Sequence, residues 1–283
     1  MQRDLRQRIV LVKVTFSAWQ ASKTDKRATQ DLRSSIGNDR GRVVKRLVDS
    51  AEYKRIGQAA TKIRTYNYLM STPWDDKDWR AISTRAYPKY RDHLDTLELE
   101  YSQAVQDFAN IYPDIVASAP YDMGPLYDPA DFPTNIQGCF TVKRAIDTLP
   151  DTKNLMLELA DDDLTAIRTD VESAFASKLQ ASQKNVADRL IEAISHLSER
   201  LTVQDGSKDK IFRDTLTGNL QELVDLIPDL NIANDPRINE LADRARATLL
   251  SHSPQDLRDN PTIRQTMAKQ AKTILDDMAS LYA

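Results

Sequence analysis

Residues 164–201 have the sequence LTAIRTDVESAFASKLQASQKNVADRLIEAISHLSERL, and this stretch decides the fold class. Its mainly apolar stripe recurs with a mean step of about 3.7 residues, which is typical of one face of an α-helix. The stripe consists of Leu164, Ile167, Val171, Phe175, Leu179, Ser182, Val186, Leu190, Ala193, Leu197 and Leu201. We predict one helix over residues 156–201, which at ~1.5 Å per residue would be roughly 69 Å long. Because so long an apolar face needs a partner, we expect it to lie against other helices or to form a homo-oligomer.

Acidic residues and prolines mark the ends of the predicted helices in this half of the chain. Asp161, Asp162 and Asp163 precede the apolar stripe, where negative charge favours a helix N-terminus. Consecutive carboxylates on a helix point in different directions, so we interpret them as capping charge rather than as a metal site. Three shorter helices are predicted over residues 208–227, 236–251 and 261–281. Pro236 and Pro261 suit the first helical position, behind Asp235 and Asn260 as caps.

The first half of the chain combines short strands with a helical hairpin. Residues 9–16 are rich in β-branched side chains that alternate in period two, which predicts a strand. A helix is predicted over residues 43–70, and Thr72-Pro73 ends it. The next helix carries a seven-residue apolar repeat from Tyr90 to Ile115, the pattern of a helix packed along another at a shallow angle. These two helices are predicted to form an antiparallel pair.

The predicted fold class is therefore mainly α with a small β-sheet: a helical hairpin, one very long helix and a C-terminal helical bundle. The sheet would join strands near residues 9–16, 80–84 and 138–146, and the proline-rich residues 119–137 would form a long structured loop. Two domains are predicted. Residues 1–150 would form a basic strand and hairpin domain, and residues 151–283 an acidic domain with the long helix and three further helices.

Composition excludes several classes of protein. Cys139 is the single cysteine, so the chain has no internal disulfide and no cysteine zinc site, and we expect a cytoplasmic protein. No stretch approaches the ~20 apolar residues that span a bilayer, so no membrane partner is expected.

No motif for catalysis, for a metal or for a cofactor is found in the sequence. Glycine-rich phosphate loops, the nucleophile elbow and the paired-histidine zinc motif are all missing, and the histidines His93, His196 and His252 are scattered. We predict a protein that is not an enzyme, with no catalytic residue, no metal and no cofactor.

The clearest functional signal is an asymmetry of charge. Residues 1–70 contain 16 Lys and Arg against 6 Asp and Glu, whereas the whole chain has a net charge of −3. Cations neutralise phosphates and aromatic rings stack on bases, so basic residues with an aromatic among them favour binding of single-stranded nucleic acid. The candidate binding residues are Lys23, Lys26, Arg27, Arg33, Arg40, Arg42, Arg46, Tyr53 and Arg64. On the helix predicted over residues 43–70, four of them, Arg42, Arg46, Tyr53 and Arg64, would project broadly to one side, away from the apolar face. The alternative interpretation is that the basic part packs against the acidic half, within or between subunits.

Several short motifs resemble an uncharacterised family of mainly helical proteins encoded by bacteriophages and mobile elements. The resemblance covers roughly residues 8–205 and rests on Trp19, Thr72-Pro73-Trp74, Arg80, Phe108, Tyr112, Asp131-Phe132-Pro133 and Phe140. Genes near members of that family can encode AAA+ ATPases, von Willebrand A-type proteins or recombination proteins. The resemblance implies a role in phage DNA metabolism or in an ATPase-centred assembly, in the cytoplasm of the host cell, and it implies no catalytic residue.

Two functions of different class are predicted. The first is a non-enzymatic, oligomeric protein that binds nucleic acid, with a preference for single-stranded DNA, through its basic N-terminal region. The second is a helical scaffold or adaptor that binds a protein partner, such as an AAA+ ATPase assembly, or a component of phage assembly.

Overall fold

The computed structural model describes residues 5–149, 161–202 and 215–282. It is 70% helical with a small antiparallel sheet, which confirms the predicted fold class. The helices are α1 Lys26–Ile36, α2 Ala51–Met70, α3 Tyr87–Met123, α4 Asp161–Leu201, α5 Thr215–Leu230, α6 Pro236–Leu249, α7 Pro254–Asp259 and α8 Pro261–Tyr282. The strands are β1 Ile9–Ser17, β2 Ser22–Asp25, β3 Val43–Arg46, β4 Thr72–Pro73, β5 Arg80–Ser83 and β6 Thr141–Thr148.

The chain folds into two compact units that are discontinuous in sequence. Unit 1 comprises the described residues of Met1–Lys13, Met70–Pro88 and Ile146–Ala283, and unit 2 comprises Val14–Leu69 and Lys89–Ala145. These units are not the contiguous segments 1–150 and 151–283. Each boundary between them falls inside a helix or strand, in β1, α2, α3 and β6.

The core of unit 1 is a helical bundle built on the C-terminal part of α4. From Ser182 to Leu201 the stripe of α4 is buried except at Ala193, next to which Ile194 is buried. This helix packs against α8 and α5, while α6 packs against α8 and α5. Leu190, Ile194 and Leu197 are completely buried. The C-terminal half of α4 therefore finds its helical partners within its own chain.

The four-stranded sheet has the strand order β4-β5-β1-β6. Strand β5 pairs antiparallel with the first half of β1, Ile9 lying opposite Ser83, and β4 pairs with β5. The predicted strands at residues 9–16, 80–84 and 138–146 thus correspond to β1, β5 and β6. Strand β4 is an addition at the point where Thr72-Pro73 ends the preceding helix.

Unit 2 contains the predicted antiparallel hairpin of α2 and α3. Lys62 on α2 pairs with Glu100 on α3 at 2.7 Å, and nearer the connection the Tyr66 ring stacks on Tyr90. At the other end the Tyr53 ring meets Phe108 edge-on at 5.5 Å. The sequence order of these contacts, rising on α2 and falling on α3, shows that the two helices run in opposite directions.

The predicted helix over residues 43–70 is too long at its N-terminal end. Residues Val43–Arg46 form β3, which pairs antiparallel with β2, and the helix begins only at Ala51. The Ser50 hydroxyl accepts a hydrogen bond from the Tyr53 backbone N–H and so caps the new helix start. The apolar residues of 43–48 fit a helical period, but the β-branched Val43 and Val44 are used in a strand.

Two helices extend beyond their predicted ends and contain prolines. Helix α3 continues through Pro113 and Pro120 to Met123, and α5 continues past Pro228 to Leu230. Pro113 and Pro120 are exposed, while their neighbours Tyr112 and Ala119 are buried. Packing of the neighbours therefore outweighs the backbone hydrogen bond that each proline removes.

The remaining differences are local. Three short 3-10 turns, at Gly124–Leu126, Pro129–Asp131 and Gln137–Cys139, follow α3 in place of a single irregular loop. The short helix α7 was not predicted, whereas the predicted caps of α6 and α8 are present at Asp235 and Asn260. Residues 156–160 and 208–214 of the predicted helices lie outside the described residues.

Candidate nucleic-acid interface

Most of the predicted binding residues belong to one small substructure of unit 2, residues 22–46, which we call the basic module. It consists of β2, α1 and β3, with Ser22 of β2 opposite Arg46 and Asp25 opposite Val43. Its sequence contains eight Lys or Arg residues and three Asp residues, a net charge of +5. The polar stretch at residues 22–41, in which no helix was predicted, thus folds around an eleven-residue helix.

Local hydrogen bonds explain why α1 forms between these two strands. The Asp25 carboxylate accepts a bond of 2.8 Å from the Ala28 N–H and caps the first turn. Gly37 has a φ of 61°, the left-handed conformation that commonly ends a helix. The chain then turns back along α1, where the Arg33 Nε donates to the Gly41 carbonyl and the Val43 N–H donates to the Thr29 hydroxyl.

A buried ion cluster attaches the basic module to the turn at residues 124–131. The Lys45 side chain is only 7% exposed, and its Nζ lies 2.7 Å from an Asp131 oxygen and 3.4 Å from an Asp25 oxygen. The same Nζ donates to the Leu126 carbonyl at 2.8 Å. Lys23 Nζ reaches the other Asp131 oxygen at 2.5 Å, although its side chain is 57% exposed.

The pKa values of this cluster shift in the direction expected of ion pairs. Burial alone would raise the pKa of Asp131, but the ammonium groups of Lys23 and Lys45 outweigh it and hold that pKa below its usual range. Burial would likewise lower the pKa of Lys45, yet the carboxylates of Asp131 and Asp25 raise it above its usual value. Both groups are therefore charged at neutral pH, and the module is fixed by charge as well as by apolar packing.

Besides Lys23 and Arg46, five of the predicted binding residues lie exposed on the module. They are Lys26, Arg27, Arg33, Arg40 and Arg42. Within the described ranges 5–149, 161–202 and 215–282, none of the five forms an ion pair. Arg33 is oriented by the neutral Gly41 carbonyl, which leaves its charge uncompensated.

An open groove on the module brings two of these cations together with neutral polar groups. Lys26 and Arg33 line this groove of about 660 Å³ with Thr24, Gln30 and Ser34. Asp39 also lines it and reduces the positive charge at one side. The arrangement offers phosphate oxygens both cations and hydrogen-bond donors.

The other two predicted cations of the module form ion pairs with carboxylates of the same chain. Lys23 pairs with Asp131, as described above. Arg46 pairs with Asp49 at 2.8 Å, and Asp49 also binds Lys54 at 2.6 Å. The proposed helical side carrying Arg42, Arg46, Tyr53 and Arg64 together is wrong, because residues 43–46 form a strand.

The structure places the two remaining predicted residues, Tyr53 and Arg64, on α2, outside the module. The Tyr53 ring packs at centroid distances of 6.2 Å from Trp19 and 6.4 Å from Phe140, inside the aromatic core of unit 2. Its hydroxyl donates to the Trp19 carbonyl and accepts from the Ala21 N–H. These contacts engage the half-buried Tyr53 within the chain, and its stacking on bases stays a prediction. Arg64 is exposed, and its guanidinium lies 4.2 Å from the centroid of the Phe16 ring.

The partner that sequence reasoning missed is Asp131. Nothing in its local sequence links it to Lys45, 86 positions earlier, and only the folded chain brings them together. Lys45 itself alternates with exposed Val44 and Arg46, so a strand prediction at residues 43–46 would have indicated an inward-facing lysine.

No group of three or more His, Cys, Asp or Glu side chains in the described part of the chain could hold a metal ion. Among the described helices, none is both long and apolar enough to cross a membrane. Comparisons with protein-family models, with curated proteins and with solved structures gave no match to this chain.

Proposed function

We propose that the protein binds nucleic acid through phosphate contacts made by the basic module. The observation that carries this proposal is the set of five exposed cations, Lys26, Arg27, Arg33, Arg40 and Arg42, on one folded substructure. Lys45 and Asp131 fix that substructure from beneath, so its charges are held on a folded framework. Fixed cations release counterions from phosphates, which supplies most of the affinity of non-specific nucleic-acid binding.

The proposed contact is directed at phosphates rather than at bases. Residues 22–46 contain no aromatic side chain, and Tyr53 is taken up by the core of unit 2. A preference for single-stranded DNA must then come from the flexibility of the strand and the spacing of its phosphates. The proposed protein is non-enzymatic and oligomeric, is encoded by a phage or mobile element, and acts in the cytoplasm of the host.

The salt dependence of binding can be predicted from the number of phosphate contacts. Five phosphate contacts predict a slope of log K against log salt of about −3.5 for single strands and about −4.5 for duplex DNA. The measurement is fluorescence anisotropy of labelled single-stranded and duplex oligonucleotides with the full chain, between about 50 mM and about 300 mM salt. The ratio of the affinities for single-stranded and duplex oligonucleotides tests the proposed preference for single strands.

A charge-reversal variant with a matched control makes the test specific. The triple variant Lys26→Glu, Arg33→Glu, Arg42→Glu should weaken binding at least ~10-fold and reduce the slope to about −1.4, because two cations remain. The control carries the same change of charge on exposed lysines of α4 and α8: Lys184→Glu, Lys269→Glu and Lys272→Glu. It should bind almost as wild type. Equal losses in both variants, or no binding by the wild type at low salt, would contradict the proposal.

A second candidate function, the helical scaffold or adaptor, is supported by the N-terminal half of α4. Leu164, Ile167, Val171 and Phe175 continue the apolar stripe there, but they remain half-buried rather than buried. A partner helix or a second copy that covered them would give an association insensitive to salt. Ile167→Glu should then dissociate the assembly and leave oligonucleotide binding unchanged, as measured by sedimentation and by anisotropy.

A further inference from the structure

Unit 1 contains a pocket with aromatic walls, and no residue of the basic module lines it. The pocket has a volume of about 320 Å³ and is lined by Trp74, Trp79, Phe175, Leu11, Arg6 and Lys178, among others. That volume is at the lower end of ligand pockets, enough for one ring system but too small for an extended chain.

The walls of the pocket are held in place by backbone and side-chain contacts. The Trp74 N–H donates to the Trp79 carbonyl at 2.9 Å, and the Asp75 carboxylate accepts from the N–H groups of Lys77 and Trp79. Phe175 on α4 packs against Trp74, with 5.9 Å between the two ring centroids. A preformed aromatic surface requires little ordering when a flat ligand binds.

The charged groups around the pocket differ in how far they are compensated. Arg6 lies over the Phe175 ring at 4.6 Å and pairs with Glu172 at 2.6 Å, so its charge is balanced. Asp75 accepts from neutral backbone N–H groups, as described above, and so keeps its negative charge. Asp147, the other acidic lining residue, likewise accepts from the neutral Thr148 N–H.

Lys178 differs from Arg6, the other cation described at the pocket, because its charge is not balanced by a described carboxylate. Its Nζ lies 5.8 Å from the Trp74 ring centroid at the pocket, and it has no ion pair within residues 5–149, 161–202 and 215–282. An ammonium group beside an aromatic wall can bind an anion that is attached to a ring lying on that wall.

We propose that this pocket binds a planar aromatic ring carrying one anionic group, the chemistry of a nucleotide. The ring would pack against Trp74, Trp79 and Phe175, and the anion would pair with Lys178. The pocket consists only of residues of unit 1, so a failure of ligand binding there would not affect the proposal that the basic module binds phosphates, and the reverse also holds.

The test is calorimetric titration of the full chain with adenosine and thymidine monophosphates, with the corresponding nucleosides and with indole-3-acetate. The monophosphates should bind, and Lys178→Gln should weaken them ~3-fold to ~5-fold while leaving the nucleosides unchanged. Lys184→Gln, an exposed lysine of the same helix outside the pocket, is the matched control and should have no effect. Binding of indole-3-acetate with the same sensitivity to Lys178→Gln would support the ring-and-anion chemistry from a source other than a nucleotide.

A second pair of variants tests the cavity itself. Ala174 lines the pocket but is exposed on α4, so Ala174→Trp should fill the space without disturbing the core. It should abolish binding, whereas Ala176→Trp, also exposed but outside the pocket, should not. If no probe binds up to about 10 mM, or if Ala174→Trp binds as wild type, the inference is wrong. Loss of oligonucleotide affinity in Ala174→Trp would show that a base within a strand can enter; unchanged oligonucleotide affinity would restrict the pocket to free ligands.

Discussion

Replacing Asp131 by asparagine tests whether the buried ion cluster holds the basic module. The Asp131→Asn variant would keep the shape of the side chain but leave the Lys45 ammonium, 7% exposed, without its nearer carboxylate. Removing one partner of a buried pair costs about 3–5 kcal/mol. Lys45 keeps Asp25 at 3.4 Å and the Leu126 carbonyl at 2.8 Å, so we expect the lower end, about 3 kcal/mol.

The assay is urea unfolding followed by the fluorescence of Trp19, which lies in the aromatic core of unit 2. Trp74 and Trp79 are replaced by phenylalanine in every variant so that Trp19 alone reports. With a slope of ~2 kcal/mol per molar urea, a loss of about 3 kcal/mol lowers the midpoint by ~1.5 M. Lys45→Met in the Asp131→Asn background should recover much of the loss, because it removes the unpaired buried charge.

Asp49→Asn is the matched control for this prediction. Asp49 also pairs with two cations, Arg46 and Lys54, but its side chain is 49% exposed, so its removal should hardly move the midpoint. If Asp131→Asn moved the midpoint no more than Asp49→Asn, the assignment of Asp131 and Lys45 as the attachment of the module would be refuted.

Three further outcomes are expected. Ion pairing lowers the pKa of Asp131 in the folded state, so its ion pairs stabilise unit 2 fully above the unfolded pKa of about 3.9. This stabilisation is lost as pH falls through the folded pKa. Acid titration followed by Trp19 fluorescence should therefore show unit 2 unfolding below about pH 4, and at a higher pH in Asp25→Asn. Tyr53→Phe should reduce the free energy of unfolding by ~1–2 kcal/mol in urea and leave oligonucleotide affinity unchanged, because the hydroxyl serves the core and not a ligand. Leu190→Ala should cost ~2–5 kcal/mol in thermal unfolding, whereas Leu164→Ala on the half-buried part of α4 should cost under about 1 kcal/mol.

Elements with a long, regular apolar period were predicted well from the sequence. The stripe of α4 and the seven-residue repeat of α3 each extend over several turns, so a local interruption such as Pro113 does not obscure them. Asp235 and Asn260 were predicted as caps because a side-chain oxygen before a proline has a direct local function. Helices and caps that depend on residues close in sequence could therefore be predicted from the sequence pattern.

The basic module was not predictable in this way. Helix α1 has few apolar residues, Leu32 and Ile36 being its large ones, and it forms because two short strands flank it. Val43 and Val44 suited a helical face and a strand equally well, and the pairing of β3 with β2 decided between them. Composition grouped the candidate cations, but which of them are neutralised depends on carboxylates such as Asp131 that are distant in sequence.

The discontinuity of the two units determines how the protein can be made and cut. During synthesis, all of unit 2 has been made once residue 145 is added, whereas unit 1 still lacks α4 and the C-terminal helices. Residues 70–88, which lie between the two segments of unit 2, must then remain without their α4 neighbours until synthesis continues. No single cleavage of the chain separates one complete unit from the other. An expression fragment of residues 14–145 would contain all of unit 2, but it would expose the buried faces of Trp74, Ala81 and Ile82.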